Sequence, residues 1–172
     1  MKMNYHLRQS FVLACILSVM TIFCIPAQAQ STKKSQQKSG YIFLALPSGT
    51  IWKETNEEGY YSFAEAAKKY GNQLPTKEQW QELIDNCNWV WTGKGYKVTD
   101  KRGVSIYLPA AGYKSSFGNT FGVGESAFYW ANTEKDNVYS WGLWMEHTKN
   151  NENNIHIFTS KQDYYQSVRL VK

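Results

Sequence analysis

At Asn88 the apolar pattern of this chain changes period. Before it, apolar residues recur every three to four positions. After it, they alternate. Phe63, Ala66, Ala67 and Tyr70 share one helical face, and so do Trp80, Leu83, Ile84 and Cys87. Each stripe has a readable start. Ser62 has Glu65 three residues on, and Thr76, which follows Pro75, has Gln79; both are capping-box patterns. Gly71 suits the end of the first helix. Beyond Asn88, Trp89–Trp91, Tyr96–Val98 and Val104–Leu108 read as strands, separated by Gly93-Lys94-Gly95 and Asp100-Lys101-Arg102-Gly103. Further strands are expected near Phe128–Trp130, Tyr139–Glu146, Ile155–Phe158 and Ser167–Val171. Upstream of the helices, Tyr41–Leu46 runs into the turn Pro47-Ser48-Gly49, and a short strand follows around Thr50–Trp52. Helices segregated from strands predict an α+β fold, with two helices packed on short, mostly antiparallel strands and long loops. Residues 112–127, rich in Gly, Ser and Asn, read as one long loop, and long loops in compact domains are usually functional.

The first 40 residues have another character. Lys2 and Arg8 precede an apolar run over Phe11–Ile25, and Ala27-Gln28-Ala29 has the small-x-small form of a signal-peptidase site. The run falls short of the roughly 20 residues that cross a bilayer. The reading is a signal peptide over 1–29, a polar tether over 30–40 with no apolar side chain, and one domain over 41–172. Export to the periplasm, cell surface or medium of a Gram-negative-type cell is therefore expected. Lipidation is not: Cys15 lies inside the apolar run, and Cys24 follows the large Phe23. Loss of Lys2 and Arg8 lowers the formal charge from +5 to +3, and no basic cluster points to nucleic acid. Cys87 alone survives cleavage, so the domain has no internal disulfide and must rely on its apolar core. All seven Trp lie beyond position 50, inside that domain. On its stripe, Cys87 is expected to be a small buried hydrophobe.

Five blocks, in order, resemble a known family: Leu46-Pro47-Ser48-Gly49-Thr50-Ile51-Trp52, Leu74–Leu83 (Leu-Pro-Thr-Lys-Glu-Gln-Trp-Gln-Glu-Leu), Ile106–Tyr113 (Ile-Tyr-Leu-Pro-Ala-Ala-Gly-Tyr), Tyr129-Trp130 before Thr133-Glu134, and Ser167-Val168-Arg169-Leu170-Val171. Together they resemble the fibrobacter succinogenes major paralogous domain family of secreted Bacteroides-type proteins. That family is related in fold to formylglycine-generating enzymes and C-type lectins. The resemblance covers residues 41–172 and implies a C-type-lectin-like fold with ligand loops at the end built from residues 113–129 and the late strands. It assigns no activity, since fold does not fix function. Trp52, Thr76, Trp80, Cys87, Trp130 and Arg169 are expected to be structural. Ala110-Ala111-Gly112 suits a close approach to a neighbouring strand. Arg169, in an apolar strand, needs an inward carboxylate or backbone carbonyls.

Catalytic and metal readings find little support. The formylglycine-generating reaction relies on two active-site cysteines, and this domain has one. His147 and His156 have no nucleophile-elbow motif nearby. Zinc spacing is missing, and so are the calcium-lectin motifs Glu-Pro-Asn, Gln-Pro-Asp and Trp-Asn-Asp. Glu134, Asp136 and Asn137, and Asn151–Asn154 with Glu152, read as solvated turns rather than oxygen-ligand loops. No cofactor is expected. What remains is display of aromatic side chains. Alternation places Trp141, Leu143 and Met145 on one face, and Ser140, Gly142, Trp144 and Glu146 on the other, with Trp144 exposed. Phe117, Asn119 and Phe121 lie in the Gly-rich loop, and Tyr164 and Tyr165 precede the last strand. These six residues are the expected ligand contacts of a non-catalytic module binding a glycan, a peptide or a protein partner. The alternatives are a hydrolase or altered formylglycine-generating-type enzyme, and a structural assembly subunit without a small ligand.

Overall fold

The structure, a computed structural model, describes residues 40–149 and 151–172, with the side chains of residues 151–153 excepted. The expected leader and nearly all of the tether lie outside the described residues.

Local chemistry starts both helices where the sequence places them. Ser62 Oγ accepts the Glu65 amide at 3.4 Å, while Glu65 accepts the Ser62 amide at 2.9 Å, opening α1 (Phe63–Tyr70). Gly71 closes α1 at φ 51°, a left-handed conformation that a side chain resists, and a 3₁₀ turn over Gly71–Gln73 follows. Thr76 and Gln79 exchange the same reciprocal pair at 3.2 and 2.8 Å, opening α2 (Lys77–Asn86). Both helices are therefore anchored by side chains within three residues of their own starts.

Among the described residues, ten strands complete a mixed α+β architecture with mostly antiparallel pairing. β1 (Tyr41–Phe43) and β2 (Ile51–Lys53) form a two-stranded ribbon. β3 (Asn88–Trp91), β4 (Gly95–Thr99) and β5 (Ser105–Pro109) form a three-stranded meander. The largest sheet holds β6 (Ala111–Lys114), β7 (Thr120–Val123), β8 (Ser126–Glu134), β9 (Tyr139–Thr148) and β10 (Asn151–Lys161) in the order β10-β9-β8-β6-β7. Its one parallel pairing joins β6 to β8. Gly112 instead serves the antiparallel neighbour β7: at φ 67°, a Cβ there would lie 2.0 Å from the Phe121 carbonyl oxygen. The expected close approach at Ala110-Ala111-Gly112 is thus observed.

One face of the large sheet carries the main core. Ala127, Tyr129, Ala131, Leu143 and Met145 pack with Trp80 and Leu83 of α2, Trp52 of β2, and Tyr96, Val98, Ile106 and Leu108 of the meander. Trp80 lies 4.7 Å from Trp52 and 5.5 Å from Tyr129, ring centre to ring centre. Trp130, on the other side of β8, joins Phe63, Ala66, Tyr70, Leu74, Val168 and Leu170 in a second cluster built around α1. Its indole donates to the Tyr61 carbonyl at 2.7 Å. Trp52, Trp80 and Trp130, all expected to be structural, are fully buried.

Several expectations change. Residues 112–127 are not one loop: β6, β7 and the start of β8 run through them, because the glycines allow tight turns between strands. The terminal strand over 167–171 does not form a ladder. Residues 165–172 instead bond in turn to Lys114, Tyr61, Phe128, Glu57, Lys53, Gln73 and Ile51, lacing the sheet, the α1 region and β2 together. The Asn-rich segment enters β10 rather than a solvated turn. Strand β1 ends at Phe43, short of the expected Leu46. Cys87 lies just past α2 and is half-buried against the main core, because the helix stops before its stripe is complete.

Candidate functional site

Strands β8, β9 and β10 alternate strictly, so the residues opposite the main core stand together on the other face. Phe128 of β8 is paired with Trp144 of β9, and Trp144 with His156 of β10. Their rings follow that register. Phe128 and Trp144 are stacked at 6.0 Å with planes 6° apart, and Trp144 meets His156 edge-on at 4.5 Å. Phe158 lies 5.3 Å from Phe128. Its ring reaches across β9 because position 142 is glycine: a Cβ there would lie 3.1 Å from Phe158 Cε1 and 2.3 Å from the Tyr129 carbonyl oxygen. Tyr113 of β6 extends the row. It stacks with Phe121 of β7 and with Tyr164, both at 5.5 Å, and meets Phe128 edge-on at 4.8 Å. Seven aromatic or imidazole rings thus form one contiguous surface on a hydrogen-bonded sheet.

Beside this row lies a concavity of about 260 Å³, lined by Tyr113, Phe128, Tyr139, Phe158, Thr159, Ser160, Lys161 and Tyr164. Tyr113, Phe128, Phe158 and Tyr164 make its aromatic part, and Ser160, two residues from Phe158 on β10, supplies a hydroxyl on the same face. This combination can stack a flat apolar ring and hydrogen-bond its polar rim.

The expected contact residues divide. Phe121, Trp144 and Tyr164 belong to the aromatic row. Trp144 is half-buried rather than exposed, because Phe128 and His156 flank its ring. Tyr165 points away from Tyr164, as neighbours in an extended segment do. It lines a separate concavity of about 440 Å³ with Tyr60, Lys114, Ser116, Phe117 and Gly118. Phe117, 91% exposed, stands on the turn between β6 and β7. Asn119 is exposed on the same turn, where its carbonyl accepts the Ser115 amide at 2.9 Å. The six residues therefore do not share one site. Sequence reading missed Tyr113, Phe128, Tyr139, His156 and Phe158. The signal was available for Phe128, His156 and Phe158, which alternate with Tyr129, Ile155 and Ile157.

Among the described residues, no three His, Cys, Asp or Glu side chains gather to hold a metal. Burial, with Asp100 and Glu82 nearby, pushes the Cys87 thiol up to about 11, so it stays protonated and poorly nucleophilic at neutral pH. His147 stacks on Trp91 at 4.6 Å. Arg169 is fully buried and serves as a structural knot: it donates to the Asn56 side chain at 2.9 Å and to the carbonyls of Lys53, at 2.7 Å, and Tyr107. Of the partners expected for it, the carbonyls are present, and among the described residues no carboxylate lies within salt-bridge distance. Among the described residues, no helix is long and apolar enough to cross a membrane. No family model, curated protein or solved structure matches this chain.

Proposed function

We propose that this chain is an exported, non-catalytic glycan-binding module, a C-type-lectin-like member of the fibrobacter succinogenes major paralogous domain family. The observation that carries the binding reading is the uncovered aromatic row from Phe121 to His156, which ends beside a concavity also lined by Thr159, Ser160 and Lys161. A pyranose ring has an apolar C–H face and a hydroxyl rim. Tyr113, Phe128 and Tyr164 offer rings for the face, and Ser160 of β10 offers a hydroxyl for the rim. The row is held by the strand ladder, so little ordering entropy opposes binding. The five sequence blocks support the family assignment, and the apolar leader ending at Ala29 supports export.

The test is affinity electrophoresis of the protein through gels containing xylan, mannan, β-glucan, starch or pectin, followed by calorimetry with the matching oligosaccharide. At least one polysaccharide is expected to retard the protein. Tyr113→Ala and Trp144→Ala should weaken the interaction by about tenfold or more. Free migration in every gel, or retardation that both substitutions leave intact, would refute glycan recognition by this face.

A further inference from the structure

On the core side of β8, away from the aromatic row, a groove of about 470 Å³ opens between the chain after β2 and the meander. Its lining includes Asn56, Lys97, Ser105, Tyr107 and Arg169, with Glu54 as the one acidic residue. We propose that this groove is a second binding site, for a small organic carboxylate.

The argument starts from the charge beneath the groove. Arg169 is fully buried, and its three bonded nitrogens all reach neutral acceptors: the Asn56 amide oxygen and the carbonyls of Lys53 and Tyr107. Among the described residues no carboxylate lies within salt-bridge distance of it. Asn56 in turn donates to the Tyr129 hydroxyl at 3.1 Å, and that hydroxyl donates to the Pro109 carbonyl at 3.0 Å. The network therefore fixes the guanidinium without neutralising it. Buried charges are usually paired, because an unpaired charge in a low-dielectric interior is costly. Burial accordingly works to lower the Arg169 pKa. The same low dielectric leaves its field poorly screened at the groove above.

The exposed lining is mostly apolar, and two polar side chains on it are placed to meet an anion. Lys97 is exposed and has no ion pair or hydrogen bond among the described residues, and the same holds for the half-buried Ser105 hydroxyl. They can supply direct contacts while Arg169, occluded from solvent, supplies the field. Glu54 opposes that field from the exposed rim. Among the lining residues Lys97 and Arg169 outnumber Glu54, and Glu57, which also acts on Arg169, is paired with Lys53.

The test is an amide-shift titration of the full-length protein with sodium succinate against sodium chloride at equal ionic strength, with neutral succinamide as the uncharged control. Succinate alone should move the amides of Asn56, Ser105 and Tyr107, and the shifts should saturate. Lys97→Glu should weaken the response by about tenfold or more, and Glu54→Gln should strengthen it. Tyr113→Ala should leave it unchanged, which separates this site from the glycan reading. Equal shifts with chloride or succinamide, no shifts at all, or a response that survives Lys97→Glu would each overturn the proposal.

Discussion

Trp130 and Phe128 lie two residues apart on the same side of β8, yet Trp130 is fully buried and Phe128 only half-buried. Trp130 has α1 over it, with Phe63 5.6 Å away and the Tyr61 carbonyl accepting its indole proton. Phe128 has neighbouring rings beside it. The contrast extends across the sheet: Leu143 and Met145 face α2 and the meander, while Trp144 between them faces the aromatic row. Both sides carry large aromatic side chains, and what separates core from candidate binding surface at these positions is whether another described element lies on top. An aromatic side chain in an antiparallel strand therefore says little by itself about burial.

The largest test of this contrast compares truncations on the two sides. Leu143→Ala removes a fully buried side chain and should cost about 2–5 kcal/mol in urea unfolding. Phe128→Ala should cost less than half as much while reducing ligand retention. Equal stability losses would mean that the aromatic row is core after all. A smaller effect is expected where the two sides meet in one residue. Gly142→Val would drive a Cβ against the Tyr129 carbonyl and the Phe158 ring, and should cost about 1–3 kcal/mol. Retained stability there would show that β8 and β9 can part without loss. The smallest effect belongs to neither side. In the turn between β4 and β5, burial pushes the Asp100 carboxyl up. The Arg102 guanidinium, with the Val104 and Arg102 amides, outweighs that and holds it below the usual aspartate value. A depressed carboxyl contributes stability above the unfolded value of about 3.9 and loses it as pH falls through the folded one. Asp100→Asn should therefore lower Tm at pH 7, and the difference should shrink as pH falls below about 4. A difference that stays constant with pH would assign it to side-chain shape rather than to charge.

What could be read directly was local. Ser62 with Glu65 and Thr76 with Gln79 start their helices through bonds spanning three residues, and alternation from Asn88 sorted Tyr129, Leu143 and Met145 from Phe128 and Trp144. Gly112 was legible as a close approach. Its consequence was not, because no local pattern records that β6 pairs with β7 on one side and, in parallel, with β8 on the other. Tyr164 and Tyr165 were chosen together as loop aromatics, but adjacency in an extended segment sends them into different concavities. Trp144 was placed on the correct face and misjudged in exposure, since its flanking rings come from strands on either side.

The order of residues by itself determined where the helices begin, the α+β succession, and which side chains share a side of each strand. These depend on backbone periodicity and on bonds between near neighbours. Which side is covered, how residues 165–172 lace three regions together, and where Arg169 finds its acceptors were decided only by tertiary structure. Such contacts join segments far apart in the chain, as Trp52 with Val171 and Lys53 with Arg169, and alternation fixes sides relative to each other without stating what will dock on them.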